Sequence, residues 1–178
     1  MIAQSISDGI TMTASPTTVA LVPVVGKNVN VFIDSTSGGL GTTQYTRFFS
    51  IEYKYEGGFE AFWPLNRANT SFTGHVDLPP KNTVKIILEA DSQGMGLLSS
   101  VQSGSFLYLR VDAQGPIIEA AIPYALQHDI AIKLTNVDPF SDDSGIFAIG
   151  FEGEVMEDSA WGSGQSQKLT ITNVLTAL

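Results

Sequence analysis

The chain is 178 residues long, with 43% apolar and 15% charged positions and a formal net charge of −9. Sparse charge beside many aromatics excludes an intrinsically disordered chain, and the length suits one domain with a sizeable core. Basic residues number 9 against 18 acidic ones, which excludes a strong grip on nucleic acid, and the lack of cysteine excludes disulfides and thiolate metal sites.

Residues 1–27 carry only Asp8 and Lys27 and read as an N-terminal arm. No basic residue precedes Lys27, so no secretory leader is expected, and the apolar run Val19–Val25, broken by Pro23, is too short to span a bilayer. Val29–Ser35 predicts a strand. Residues 35–46 hold Gly38, Gly39 and Gly41 and predict a flexible loop; loops of this length in a compact domain are commonly functional or ordered by a partner.

From Arg47 to Glu56, Phe49, Ile51, Tyr53 and Tyr55 alternate with Ser50, Glu52, Lys54 and Glu56, the pattern of a half-buried strand. Gly57-Gly58 then predicts a tight hairpin with Phe59–Leu65 as the returning strand. Phe48, Phe49, Phe62 and Trp63 put aromatics on both faces of that hairpin, so both faces should be covered; Trp63 and Trp161 are expected to be largely buried. Ser71–Leu78 and Thr83–Ala90 predict two strands separated by Pro79-Pro80.

A short helix over about 91–103 follows from capping by Asp91 or Ser92, an apolar face of Met95, Leu98 and Val101, and Gly104 past the end. Ser105–Ala113, bounded by Gly115-Pro116, Tyr124–Asn136, Gly145–Glu157 and Lys168–Val174 are the remaining strands, with a turn at Asp142–Gly145. The fold class is mainly β: an antiparallel β-sandwich or half-barrel with one short flanking helix, in a single domain spanning 1–178.

Catalytic signals are nearly absent. His75 and His128 have no ligand spacing, there is no GxSxG elbow, and Gly38-Gly39-Leu40-Gly41 lacks the Gly-Lys-Ser/Thr of a phosphate loop. Asp138, Asp142 and Asp143 invite a calcium reading, but Phe140 stands where an EF-hand needs an oxygen ligand, so a polar turn is the better reading. Glu152 and Glu154 share a strand face without converging partners. Asn69-Thr70-Ser71 is a formal glycosylation sequon without a supporting secretory context. No enzyme, cofactor or metal is expected.

Three segments carry a family resemblance. Phe106–Pro116, a hydrophobic strand ending in Ala113-Gln114-Gly115-Pro116, resembles a strand of the major tail tube proteins of long-tailed, non-contractile (siphovirus-type) bacteriophages. Gly145-Ile146-Phe147-Ala148-Ile149, followed by Asp158-Ser159-Ala160-Trp161-Gly162, is similar to the same family's acidic turn, strand and D-x-x-W-G segment. Leu169–Leu178 resembles its closing strand and tail. The match covers about residues 47–178 and is clearest from 105 onward, with Gly115, Pro116, Asp158, Trp161 and Gly162 as its motif residues. Gly162-Ser163-Gly164-Gln165 is more flexible than the family's usual link.

The resemblance implies a β-domain closing into a multi-subunit β-barrel ring, hexameric rings stacking into a virion tail tube, and DNA passing through without specific binding. It implies assembly in the host cytoplasm with tape-measure, baseplate and tail-terminator proteins, and no membrane. Gly38, Gly39, Leu40, Gly41 and Thr42 become candidates for inter-ring contact. Glu52, Glu56, Glu152 and Glu154 become candidates for an acidic lumen that repels phosphates. The alternatives are another self-assembling virion β-domain (head decoration or tail terminator) and a carbohydrate-binding β-sandwich using Trp63 or Trp161.

Overall fold

Alternating apolar residues build long strands here, and several outrun their turn signals. In the computed structural model, residues 25–63, 73–143 and 145–173 are described; the arm expected over 1–27, the sequon and the C-terminal tail lie wholly or largely outside them. The strands are β1 (Val29–Asp34), β2 (Gln44–Tyr45), β3 (Phe48–Phe62), β4 (Gly74–Glu89), β5 (Phe106–Glu119), β6 (Ile122–Val137), β7 (Ser141–Asp143), β8 (Ile146–Val155) and β9 (Gln167–Thr172). They lie in the order β2-β1-β5-β6-β8-β4-β3, with β7 beside β8 and β9 beside β6. The mainly β architecture with one short helical segment matches the expectation from periodicity, and the sheet stays open: β2 and β3 end the path.

Two compact units divide the described residues, one of 25–54 with 82–173 and one of 55–63 with 73–81; β3 and β4 supply one end to each. The larger unit is organised by β6. Along one edge β6 pairs β5; along the other it pairs β9 from Ala125 to Ile130 and then β8 from Ile132 to Val137. Every second residue of the strands points to one core: Val31 and Ile33, Leu107 and Leu109, Ile130, Ile132 and Leu134, Ile149 and Phe151, Val84, Ile86 and Leu88. At the rim of this core Tyr53 stacks edge-on against His128, with ring centroids 5.1 Å apart, and its hydroxyl donates to Gln167 Oε1 at 2.8 Å.

The helical segment is two short turns, α1 (Ser92–Gly96) and α2 (Leu98–Ser103). The Asp91 carboxylate accepts from the Gln93 and Gly94 amides, both at 2.9 Å, which satisfies orphan donors of the first turn. Gly104 ends α2 in the left-handed conformation at φ 60°. The inward face is Leu97, Leu98 and Val101, while Met95 is exposed; the joint at Leu97 rotates the stripe away from the expected one.

Three turn signals are corrected. Gly57 and Gly58 do not close a hairpin: both have positive φ (104° and 111°) inside β3, which runs on to Phe62, so the described part of the returning strand expected over Phe59–Leu65 belongs to β3, and residues 64–65 lie outside the described residues. A Cβ on Gly57 would lie 2.8 Å from the Pro79 carbonyl oxygen, so glycine serves close backbone approach rather than chain reversal. Pro79-Pro80 does not split β4 either. Pairing with β8 begins only at Thr83, so that ladder asks neither proline for an N–H. Gly115-Pro116 marks a slip in β5–β6 register between Gln114 and Ile117, and the chain reverses later, next to Ala120 at φ 52°. The Asp142–Gly145 turn is as expected, with the Gly145 amide donating to Asp142 Oδ1 at 2.7 Å.

Trp63 departs from the expected burial: it is 54% exposed and Phe62 61%, both beyond the core-facing residues of β3. Phe49 is exposed as well, whereas Phe48 is half-buried, its ring edge-on to Tyr45 at 6.1 Å.

Candidate functional site

Residues of β1, β5 and β6 that alternate with the core set form a second, polar face under two loops. Across the strands Asp34 pairs Tyr108, which pairs Ala131; one step along, Phe32 pairs Arg110, which pairs Asp129. The Arg110 guanidinium grips Asp129 through two hydrogen bonds, Nε to Oδ1 at 2.7 Å and Nη2 to Oδ2 at 2.9 Å, and Gln127 adds a third at 3.0 Å. Asp129 is buried, so this geometry is what offsets its desolvation.

The segment expected as a flexible loop carries its own structure. Asp34, also buried, accepts from the Gly41, Thr42 and Thr43 amides at 2.8, 3.2 and 3.0 Å and from the Thr42 hydroxyl at 2.8 Å. Residues Ser37–Gly39 form a 3-10 turn whose cap is Thr36. Gly41, at φ 96°, rests on the Arg110 guanidinium, which occupies the space a side chain would take. Of the five inter-ring candidates, Gly41 and Thr42 therefore serve the folding of the loop itself, while Gly38 at its tip has open space around it.

The motif residues Asp158, Trp161 and Gly162 form the other loop. Asp158 accepts from the Tyr108 hydroxyl and from the Ala160 amide at 3.0 Å. Trp161 lies edge-on to the Tyr108 ring at 5.9 Å. Gly162, Ser163 and Gly164 all have positive φ, and the Gly164 and Gln165 amides close the turn onto the Trp161 carbonyl at 3.0 and 2.8 Å. The link is a closed turn rather than a loose one. Gly115 and Pro116 sit at the β5 slip, away from this loop.

Two carboxylates in this face titrate low. Burial raises Asp34, but the hydrogen bonds from Thr43, Thr42 and Gly41 outweigh it and hold it below its ordinary 3.8. The Tyr108 hydroxyl, then the Ala160 amide and the Lys133 charge, lower Asp158 against burial. A depressed folded pKa gives stability that is present above the unfolded value and lost as pH falls through the folded one. The urea midpoint should therefore drop from about pH 5 downward, and Asp34→Ala should flatten that slope; an equally steep slope in the variant would refute the assignment.

Glu152 and Glu154 share the face of β8 turned away from the core, and alternation puts Glu52 on the corresponding face of β3. Glu56 belongs to the smaller unit. The larger unit's face carries both signs. Lys85 bridges Asp138 at 2.7 Å and Glu152 at 3.3 Å, and these partners raise its pKa. Lys133 lies opposite Glu154 in register and 4.4 Å from the Phe106 ring centroid. Sequence counting missed this pairing because Lys85 and Glu152 are distant in the chain.

Nothing in this arrangement resembles a catalytic pair. Asp34 is occupied by four donors and Asp158 by the Tyr108 hydroxyl and the Ala160 amide, and among the described residues no cluster of three or more His, Cys, Asp or Glu is placed to hold a metal ion. No helix among them is long and apolar enough to cross a membrane. His75 pairs with Asp77 at 3.3 Å in the smaller unit.

No protein-family model and no curated protein matches the sequence. Among solved structures the chain is similar to the SPP1 tail tube subunit, known from a hybrid solid-state NMR and cryo-EM structure, with a TM-score of 0.54 and 11% identity over 84% of this chain and 80% of that one. Likeness at this identity establishes a common fold, and that fold belongs there to a structural phage tail protein, not an enzyme.

Proposed function

We propose that the protein is a structural component of a virion tail: a subunit of hexameric rings that stack into a siphovirus-type tail tube, through which DNA passes on ejection. The observation that carries this reading is the fold shared with the SPP1 tail tube subunit over most of both chains. The open sheet supports it, because among the described residues β2 and β3 end the strand order, and closure with other copies would extend the ladder at such ends. Four strands in sequence, β6-β8-β4-β3, give about 24 in a closed ring of six, with a circumference near 115 Å before tilt. Such a ring leaves a bore wide enough for a duplex. Heterologous contacts between rings then extend into an open filament.

In this reading the face of Glu52, Glu152 and Glu154 lines the bore, with Glu56 further along β3. Lys85 of this face is engaged by Asp138 and Glu152 and Lys133 by the Phe106 ring, while alternation along β3 puts Lys54 on it too, between Glu52 and Glu56. Phosphates therefore meet carboxylates and cations that stand beside carboxylates, and the duplex is not retained. Tape-measure, baseplate and tail-terminator proteins are the partners implied, with assembly in the host cytoplasm.

Electron microscopy of the concentrated protein should show rings or tubes. Isolated particles would reject the reading, and a single ring that never propagates would favour a tail terminator. Exposed Trp63 meets one requirement of a carbohydrate-binding sandwich, and isolated particles that bind glycans would favour that alternative.

A further inference from the structure

The ends of β3 and β4 that form the smaller unit leave large apolar side chains in water. Tyr55 is 58% exposed, Val76 58% and Leu78 41%. Alternation puts Tyr55 on the side of Ile51 and Tyr53, and Val76 and Leu78 on the side of Val84 and Ile86, so all three continue the core-facing side of their strands. Two strands with one apolar face are at best marginally stable in water, and a third strand is what such a ribbon lacks. Among the described residues β3 ends the strand order.

The same chain carries a segment of the required kind. Residues 1–24 lie outside the described residues, and within them Ile10-Thr11-Met12-Thr13-Ala14 alternates apolar side chains with threonines, as Leu169-Thr170-Ile171-Thr172 of β9 does. Asp8 is the one charged residue among them. The chain leaves them at the start of β3: Gly26 shares the wall of a cavity with Phe48, Phe49, Ser50 and Ile51. From Ala14 to Gly26 the chain reaches up to about 40 Å, while the stretch of β3 from Ile51 to Glu60 is about 30 Å long. A segment laid along β3 and ending at that cavity runs antiparallel to it.

We propose that residues 10–14 pair antiparallel with residues 55–62 of β3 in the same chain, as a third strand whose Ile10, Met12 and Ala14 extend the apolar side that Tyr55, Val76 and Leu78 begin. The choice of edge follows from proline. β4 offers the ribbon's other edge, but consecutive N–H groups of a strand point to opposite sides, so one of Pro79 and Pro80 takes a donor from that edge. The pairing stops short of residues 48–54, the part of β3 that ring closure would use, and nothing in it depends on the tail-tube reading.

Amide hydrogen exchange on the full chain, dilute enough to be monomeric, tests the pairing. Within residues 55–62 the amides facing away from β4 should exchange at least about tenfold slower than unpaired amides. Met12→Pro should remove that protection while the core amides of Ile86 and Ile132 keep theirs. The chain has no cysteine, so engineered disulfides give a second reading. Thr11→Cys or Thr13→Cys should bond within one chain to Glu56→Cys or Glu60→Cys, and not to Asp77→Cys of β4. Fast exchange at every outward amide of 55–62, protection that Met12→Pro leaves unchanged, or disulfides with Asp77→Cys alone would overturn the pairing. Disulfides that join two chains and never one would overturn the choice of the same chain as donor.

Discussion

Asp129→Ala is expected to destabilise the subunit by about 3–5 kcal/mol, whereas Arg110→Met with Asp129→Leu should stay within about 2 kcal/mol of the parent. The single change strips a guanidinium of its two-point partner beneath a loop and leaves Gln127 without its acceptor. The double change also takes the acceptor from Gln127, but it removes both charges of the pair and refills the space with apolar volume, so neither is left unpaired. A loss of 3–5 kcal/mol is a large part of the total for a domain of this kind, commonly about 5–15 kcal/mol. Urea denaturation of the three proteins measures the difference. If the double variant were as damaged as the single one, the ion pair would be supplying net attraction instead of compensating its own burial.

Removal of Gly38–Thr42 together with Asp34→Ala should leave a folded subunit that makes no long tubes. The second substitution is required by the geometry: the deletion takes away three of the four donors to Asp34 and would strand a buried carboxylate. With alanine there, the remaining change is confined to the loop. Circular dichroism should report a native sheet and microscopy the missing tubes; tubes of normal length would show that the loop tip takes no part in stacking.

Strand positions were legible because one face of each is wet or polar: Leu107 and Leu109 alternate with Tyr108 and Arg110 as a period of two demands. Chain reversals were less legible. Gly57-Gly58, Pro79-Pro80 and Gly115-Pro116 all look like turns, but each residue type has a second use, close approach or a missing donor, that only the neighbouring strand reveals. The polar face was hidden for another reason. Asp34, Tyr108, Asp129 and Asp158 come from separate segments, and no spacing links them until β1, β5 and β6 are set side by side. The D-x-x-W-G residues were singled out by resemblance alone; the loop they form shows what Asp158 and Trp161 touch.

Because β6 borders β5 on one side and both β9 and β8 on the other, it has no freedom to settle one residue out of place. Such a fault would swing Ile130, Ile132 and Leu134 into water and push Asp129, Ala131 and Lys133 against hydrocarbon. Three ladders would have to agree on the same error. That shared central strand is a proofreading device for the fold, which matters most in the proposed assembly, whose copies must all be alike.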